Sequence, residues 1–156
     1  MKKSVLIMLM GLCLIGAAYQ AQAADTGTIS VTVSLESAIS VSVAPGTWNL
    51  GTVALSSTSA EASFTASIGN TASKLEIIGA DGAGGWTIGA TPAADRFAVS
   101  VTSPAITLTK AYQTLAASVP AYGSQGFGLT YSAPTSDTKG GGVGQGFTIT
   151  VKASAP

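Results

Sequence analysis

The chain has no histidine, one cysteine (Cys13), and charge on only 9% of its residues. Each shortage excludes a class of chemistry. Without histidine there is no Ser-His-Asp triad, no Cys-His dyad and no zinc site built from the usual ligands. Cys13 sits inside an apolar run, preceded by Met10-Gly11-Leu12, where a lipid-attachment signal would want a small residue in place of Leu12. It reads as a small hydrophobe. Beyond it the chain has no sulfhydryl for a disulfide or a thiolate metal site. Charge is far below the usual quarter of residues. There is no basic stripe for a nucleic acid and no polybasic patch for a lipid surface.

Glycine is plentiful, but its runs lack the partners that would give them chemistry. Lys139 to Gly146 has no Gly-Lys-Ser/Thr ending, and it leads into an alternating apolar segment where a phosphate loop would lead into a helix. It reads as a hairpin connection. Asp81-Gly82-Ala83-Gly84-Gly85 offers one carboxylate, and even with Asp95 as a partner the ligands are too few for calcium. The acids are scattered, with no pair to choose for glycoside hydrolysis. The sequence therefore predicts no catalytic residue, no cofactor and no metal.

What is present begins with a leader. Lys2 and Lys3 precede an apolar run, Val5 to Ala18, and Ala21-Gln22-Ala23 has the small-x-small pattern of a signal-peptidase site. The run is short for a retained membrane helix. The expectation is a signal peptide over 1–23, a single domain over 24–156, and export to the cell surface, periplasm or medium, with no integral membrane insertion after cleavage. Past Ala23 there are five bases (Lys74, Arg96, Lys110, Lys139, Lys152) and seven acids, a net charge of −2. Ser and Thr take the place of long charged side chains, which suits a pleated surface. It also does little to keep copies of the chain apart.

Alternation dominates the rest. Thr28 to Leu35 places Ile29, Val31, Val33 and Leu35 on one face and hydroxyls on the other, and Ala38 to Val43 repeats the device. A period of two is the strand signature. Further strands are expected over Trp48–Leu55, Ala62–Ile68, Leu75–Ile78, Trp86–Gly89, Phe97–Thr102, Gly126–Ser132 and Phe147–Ala153, with a short one at Ile106–Leu108. Turn chemistry separates them, at Pro45-Gly46, Gly69-Asn70, Asp81-Gly82, Ser103-Pro104 and Ala133-Pro134. About eight to ten short strands at this spacing predict an all-β fold, a single Ig-like antiparallel β-sandwich. A membrane barrel would want aromatic girdles at both rims, whereas the aromatics here are scattered singly. Trp48 and Trp86 are expected to fill the core, and on an exposed face they would instead be stacking platforms for a glycan.

In layout the sequence resembles small secreted bacterial sandwich proteins of the WxL-like and pilin-like kind. The likeness rests on the leader, the paired Thr/Val strands, the Gly85-Trp86-Thr87-Ile88 step, the Ala133-Pro134-Thr135 turn and the closing Phe147-Thr148-Ile149-Thr150-Val151. Trp86-Thr87-Ile88 has Ile where the first W-x-L step has Leu, and no Trp marks a second step near Phe147 to Val151. The resemblance implies a non-enzymatic surface protein. Two roles follow as expectations. One is a self-associating structural subunit of a filament, coat or matrix, using Ile29, Val31, Val33 and Leu35 for strand exchange with copies of itself or with other surface proteins. The other is a wall- or glycan-binding adhesion module that takes a cell-wall polysaccharide through Trp48 and Trp86.

Overall fold

The structure is a computed structural model that describes residues 30–33, 38–139 and 144–156. The expected leader over 1–23 lies outside the described residues, as do Ile29 and Leu35. The chain divides into two units, Met1–Leu35 and Glu36–Pro156. In the first, Ser30–Val33 forms no strand, and Val31 and Val33 are 76% and 73% exposed. The strand expected over Thr28–Leu35 is therefore not formed in its described part. Alternation supplies an apolar face, but a strand also needs a paired edge and a surface to bury that face.

The second unit is all-β, with no helix among its described residues. Its strands are β1 (Val41–Ala44), β2 (Ala62–Ile68), β3 (Ser73–Gly79), β4 (Thr87–Ile88), β5 (Arg96–Val101), β6 (Ile106–Thr107), β7 (Gln113–Val119), β8 (Ser124–Ser132) and β9 (Ile149–Ser154). They form two sheets, as expected of a sandwich. One runs β1-β2-β8-β5-β4, with β6 also pairing β5, and the other runs β7-β3-β9. Pairing is antiparallel except between β4 and β5, which run parallel at Thr87↔Arg96 and Ile88↔Phe97.

The alternation read in the sequence sets the core. Phe64, Ala66 and Ile68 of β2 point inward between exposed Ser63, Thr65 and Ser67. Leu75 and Ile77 of β3 are fully buried, while Lys74 and Glu76 form an ion pair at 2.8 Å between them. Phe64 lies opposite Phe127 in the β2–β8 register, and their rings stack at 5.8 Å. Phe97, Val99 and Val101 of β5 and Leu108 complete the centre. At roughly 25 cal/mol per Å2 of apolar surface, each such side chain stabilises the fold by about 1.5–3 kcal/mol. Gly79 leaves room for Ile88, because a Cβ there would force the end of the Ile88 side chain to shift.

Two expected strands end differently. Trp48–Leu55 is irregular, with Gly51 at φ 61° and Ser56 at φ 58° turning the chain out of the extended region. The Ala38–Val43 strand is displaced to Val41–Ala44, and before it Ala38 N–H is held by Asn70 Oδ1 while Ser40 O accepts from Gly69 N–H. β7 was not expected. Its pairing with β3 shifts register between Ser73 and Leu75 and again between Leu75 and Glu76. The bulges break the period of two, leaving Leu115 and Val119 as its buried residues.

Candidate self-association surface

The two sheets end side by side on one flank. β1 is the last strand of one sheet and β9 the last of the other. In a closed sandwich the inward residues of edge strands are covered by their neighbours across the core. Here Val41 and Val43 of β1 are only half-buried, as are Ile149, Val151 and Ala153 of β9, whereas the inward residues of β2, β3 and β5 are buried. The flank is open.

A groove of about 740 Å3 lies in this opening, with Phe64, Phe127 and Leu129 at its floor, Val43 and Trp48 on one side and Phe147, Ile149 and Val151 on the other. No charged residue lines it among the described residues. The approach to β9 continues its alternation, with Gln145 and Phe147 half-buried between exposed Gly144, Gly146 and Thr148. One edge of this stretch is occupied. Thr148 O and Gly146 O accept from Ala80 and Ala83 N–H, and β9 pairs with β3 from Lys74↔Ser154 to Gly79↔Ile149. Its other edge has no strand hydrogen-bonded to it among the described residues, although β1 of the other sheet lies close by. Gln145 Oε1 is a buried acceptor with no donor among the described residues.

Trp48 is half-buried, and its ring meets that of Phe64 edge-on at 5.9 Å. Trp86 is also half-buried, and its indole N–H donates to Asp137 Oδ1 at 3.1 Å. Both pack against the core from its rim, so the expectation that they fill the interior holds only in part. They do not share a site. Trp48 lines the first groove, and Trp86 lines a second of about 560 Å3 with Tyr131 and Asp137, while Leu50, Gln145 and Phe147 stand between the two. Burial pushes the Tyr131 hydroxyl up to about 12, so the aromatic wall of the second groove stays neutral.

The carboxylates singled out in the sequence hold loops. Asp81 Oδ1 accepts the Ile88 N–H at 2.9 Å and Oδ2 meets Lys110 Nζ at 3.0 Å, and these bonds, the Ile88 amide first, lower its pKa. Asp95 accepts from the Thr138 hydroxyl and, at 2.7 Å, from the Thr138 N–H, which lower its pKa in that order. No family model and no curated protein matches the chain.

Of the residues expected to act in self-association, Val31 and Val33 stand exposed. The floor and walls they would need, Phe127, Leu129, Phe147 and Ile149, were read in the sequence only as strand residues. The available signal was the unbroken alternation from Gln145 to Val151.

Proposed function

We propose that this protein is an exported, non-enzymatic structural subunit that associates with copies of itself in a surface filament, coat or matrix. The observation that carries the reading is the exposure of Val31 and Val33, 76% and 73%, in a segment that alternates apolar and hydroxyl side chains. Isolated exposed hydrophobes are ordinary, but an alternating row of them is a half-buried strand in want of a sheet. The open flank between β1 and β9 supports the same reading. The test is the mass distribution of the protein as the cell exports it, by light scattering and negative-stain microscopy across a concentration series. Concentration-dependent high-mass species or filaments are expected, and a strictly monomeric protein at millimolar concentration would rule this role out.

A second reading is supported by the two grooves. Each is walled by an indole with polar groups beside it, Asn49 and Gln145 in the first and Asp137 and Gln145 in the second. That is the composition of a glycan cleft, in which an aromatic face stacks on the sugar and amides or carboxylates meet its hydroxyls. Sedimentation with purified cell-wall polysaccharide tests it, and Trp86→Phe and Trp48→Phe should each weaken retention.

A further inference from the structure

We infer that Tyr122, presented with Ile39 at one end of the larger sheet, docks into the groove between β1 and β9 of a second copy of this chain. The inference rests on the self-association reading and adds to it a named contact and its direction.

A strained residue is the starting point. Tyr122 takes φ 57°, in the left-handed region that disfavours a bulky L-residue and that glycine or asparagine enters far more readily. Within the single chain its ring is 81% exposed, so packing does not offset that strain. Lone exposed aromatics are ordinary, but one fixed in an unfavourable conformation points to a use outside the chain. The backbone fixes it firmly. Tyr122 N–H donates to Gly69 O, Gly123 N–H to Pro120 O, and Gly69 N–H to Ser40 O. Ile39, 45% exposed, precedes Ser40, so the two side chains leave the fold from backbone segments that share Gly69.

The groove lies toward the opposite end of the same strands. Tyr122 and Ile39 lie beyond the Val41↔Ile68 and Ser67↔Ser124 pairs, whereas Pro45–Gly51, past the other end of β1, line the groove together with Phe64 and Leu129. At about 3.3 Å per residue, β2 between these ends is roughly 20 Å long. A knob at one end and a hole toward the other make a heterologous contact. Such a contact repeats in one direction and builds an open chain of subunits unless its rotation closes a ring.

The two surfaces also match in size and charge. Clefts of roughly 300–1,000 Å3 hold drug-sized molecules, so about 740 Å3 is room for a phenol ring and an isoleucine side chain. Trp48, Phe64 and Phe127 offer aromatic surface to the ring, and the amides of Asn49 and Gln145 offer partners to its hydroxyl. No charged side chain lines the groove among the described residues, and none occurs in residues 38–40, 69–71 or 120–123. No ion therefore loses its hydration on docking.

Substitution separates this contact from stability, because Tyr122→Asn relieves the strain while removing the ring. That variant should melt no lower than the parent, yet need a concentration about tenfold higher or more to form high-mass species, as loss of an aromatic anchor does. Tyr122→Phe keeps the ring and should assemble close to the parent. Directed cross-linking of the exported protein locates the contact, since no cysteine follows Cys13. One preparation carries Ala121→Cys beside the ring, a second Thr47→Cys at the groove, and a third Thr114→Cys on β7, all three at exposed positions. Mixed under mild oxidation, Ala121→Cys should form a disulfide with Thr47→Cys in preference to Thr114→Cys or to itself.

High-mass species that form equally well in Tyr122→Asn, or trapping of Ala121→Cys at Thr114→Cys or with itself, would overturn the inference while leaving self-association standing. Trapping of Thr32→Cys at Thr47→Cys in place of Ala121→Cys would give the groove to the segment around Val31 and Val33, with the same consequence. A parent protein with no high-mass species would remove both readings. In a Trp86→Phe background Trp48 is the sole indole. Its fluorescence should change as high-mass species form and should not change in Tyr122→Asn. A change produced instead by soluble cell-wall polysaccharide in Tyr122→Asn would place a sugar in the groove and overturn the inference as well.

Discussion

The Phe147 ring lies 4.7 Å from the Phe97 ring, tilted by 38°, and this contact ties the two sheets together. Phe97 belongs to β5 of the larger sheet, and Phe147 leads into β9 of the smaller one. Tyr131 of β8 completes the cluster at 5.6 Å from Phe97 and 5.7 Å from Phe147. Tilted and offset rings at these distances add about 0.5–1.5 kcal/mol to what their burial contributes. Phe147→Ala should therefore lower stability by about 3 kcal/mol, and Phe147→Leu by about 1 kcal/mol. Denaturant midpoints measure both. A Phe147→Leu variant as stable as the parent would mean that the aromatic geometry contributes nothing.

Asp81 anchors β4 through a bond that a neutral amide can also accept. Its Oδ1 receives the Ile88 N–H, and Ile88 itself is 5% exposed, so that amide has little access to water. Asp81→Ala leaves the donor without a partner and should cost about 1–3 kcal/mol. Asp81→Asn keeps an acceptor oxygen and loses only the exposed pair with Lys110, worth about 0.5 kcal/mol. Urea denaturation of the two variants should separate them clearly. Equal losses would show that the ion pair, not the amide bond, is the anchor.

The same carboxylates set the acid limit of stability. Hydrogen bonds from Thr138 hold Asp95 below its ordinary value, the Ile88 amide and Lys110 do so for Asp81, and Lys74 does so for Glu76. A group with a depressed folded pKa binds its proton more readily when unfolded. Its contribution is therefore complete above the ordinary carboxylate range of about 4 and is lost as pH falls through the lower folded value. Melting temperature should be flat from neutral pH down to about 5 and then fall steeply. Asp95→Asn should lower the neutral plateau and soften the acid limb, the variant and the parent converging at low pH. A limb of unchanged slope would show that the Thr138 bonds do not distinguish the charged carboxylate.

Much of this architecture is legible in the sequence, for a definite reason. β2 and β3 carry alternation over a buried inner face, and one residue of slip would turn that face to water. β7 escapes because two register shifts break its period. Trp48–Leu55 misleads because a pattern of apolar residues does not reveal that Gly51 and Ser56 take positive φ. The alternation at Ile29 to Leu35 is visible in the sequence, whereas the groove between β1 and β9 is not. A groove arises from what two edge strands fail to cover, and β1 and β9 are about a hundred residues apart in the chain. No local pattern encodes that gap.

The turn before β8 offers a stability gain that leaves every strand untouched. Tyr122 adopts φ 57°, a left-handed conformation that costs an L-residue with a bulky side chain about 1–2 kcal/mol and that asparagine tolerates far better. Its ring is 81% exposed, so truncation forfeits little packing. The backbone carries the turn, with Tyr122 N–H donating to Gly69 O at 2.7 Å and Gly123 N–H to Pro120 O at 2.8 Å. Tyr122→Asn keeps both bonds and should raise stability by about 0.5–1 kcal/mol. Gly123 is the opposite case. A Cβ there would lie 2.7 Å from Pro120 O, a backbone atom that cannot swing aside, so Gly123→Ala should cost about 1–2 kcal/mol. Paired denaturation curves on the two variants read the opposite signs directly. Destabilisation by Tyr122→Asn would show that the tyrosine ring makes a contact worth more than the strain it imposes.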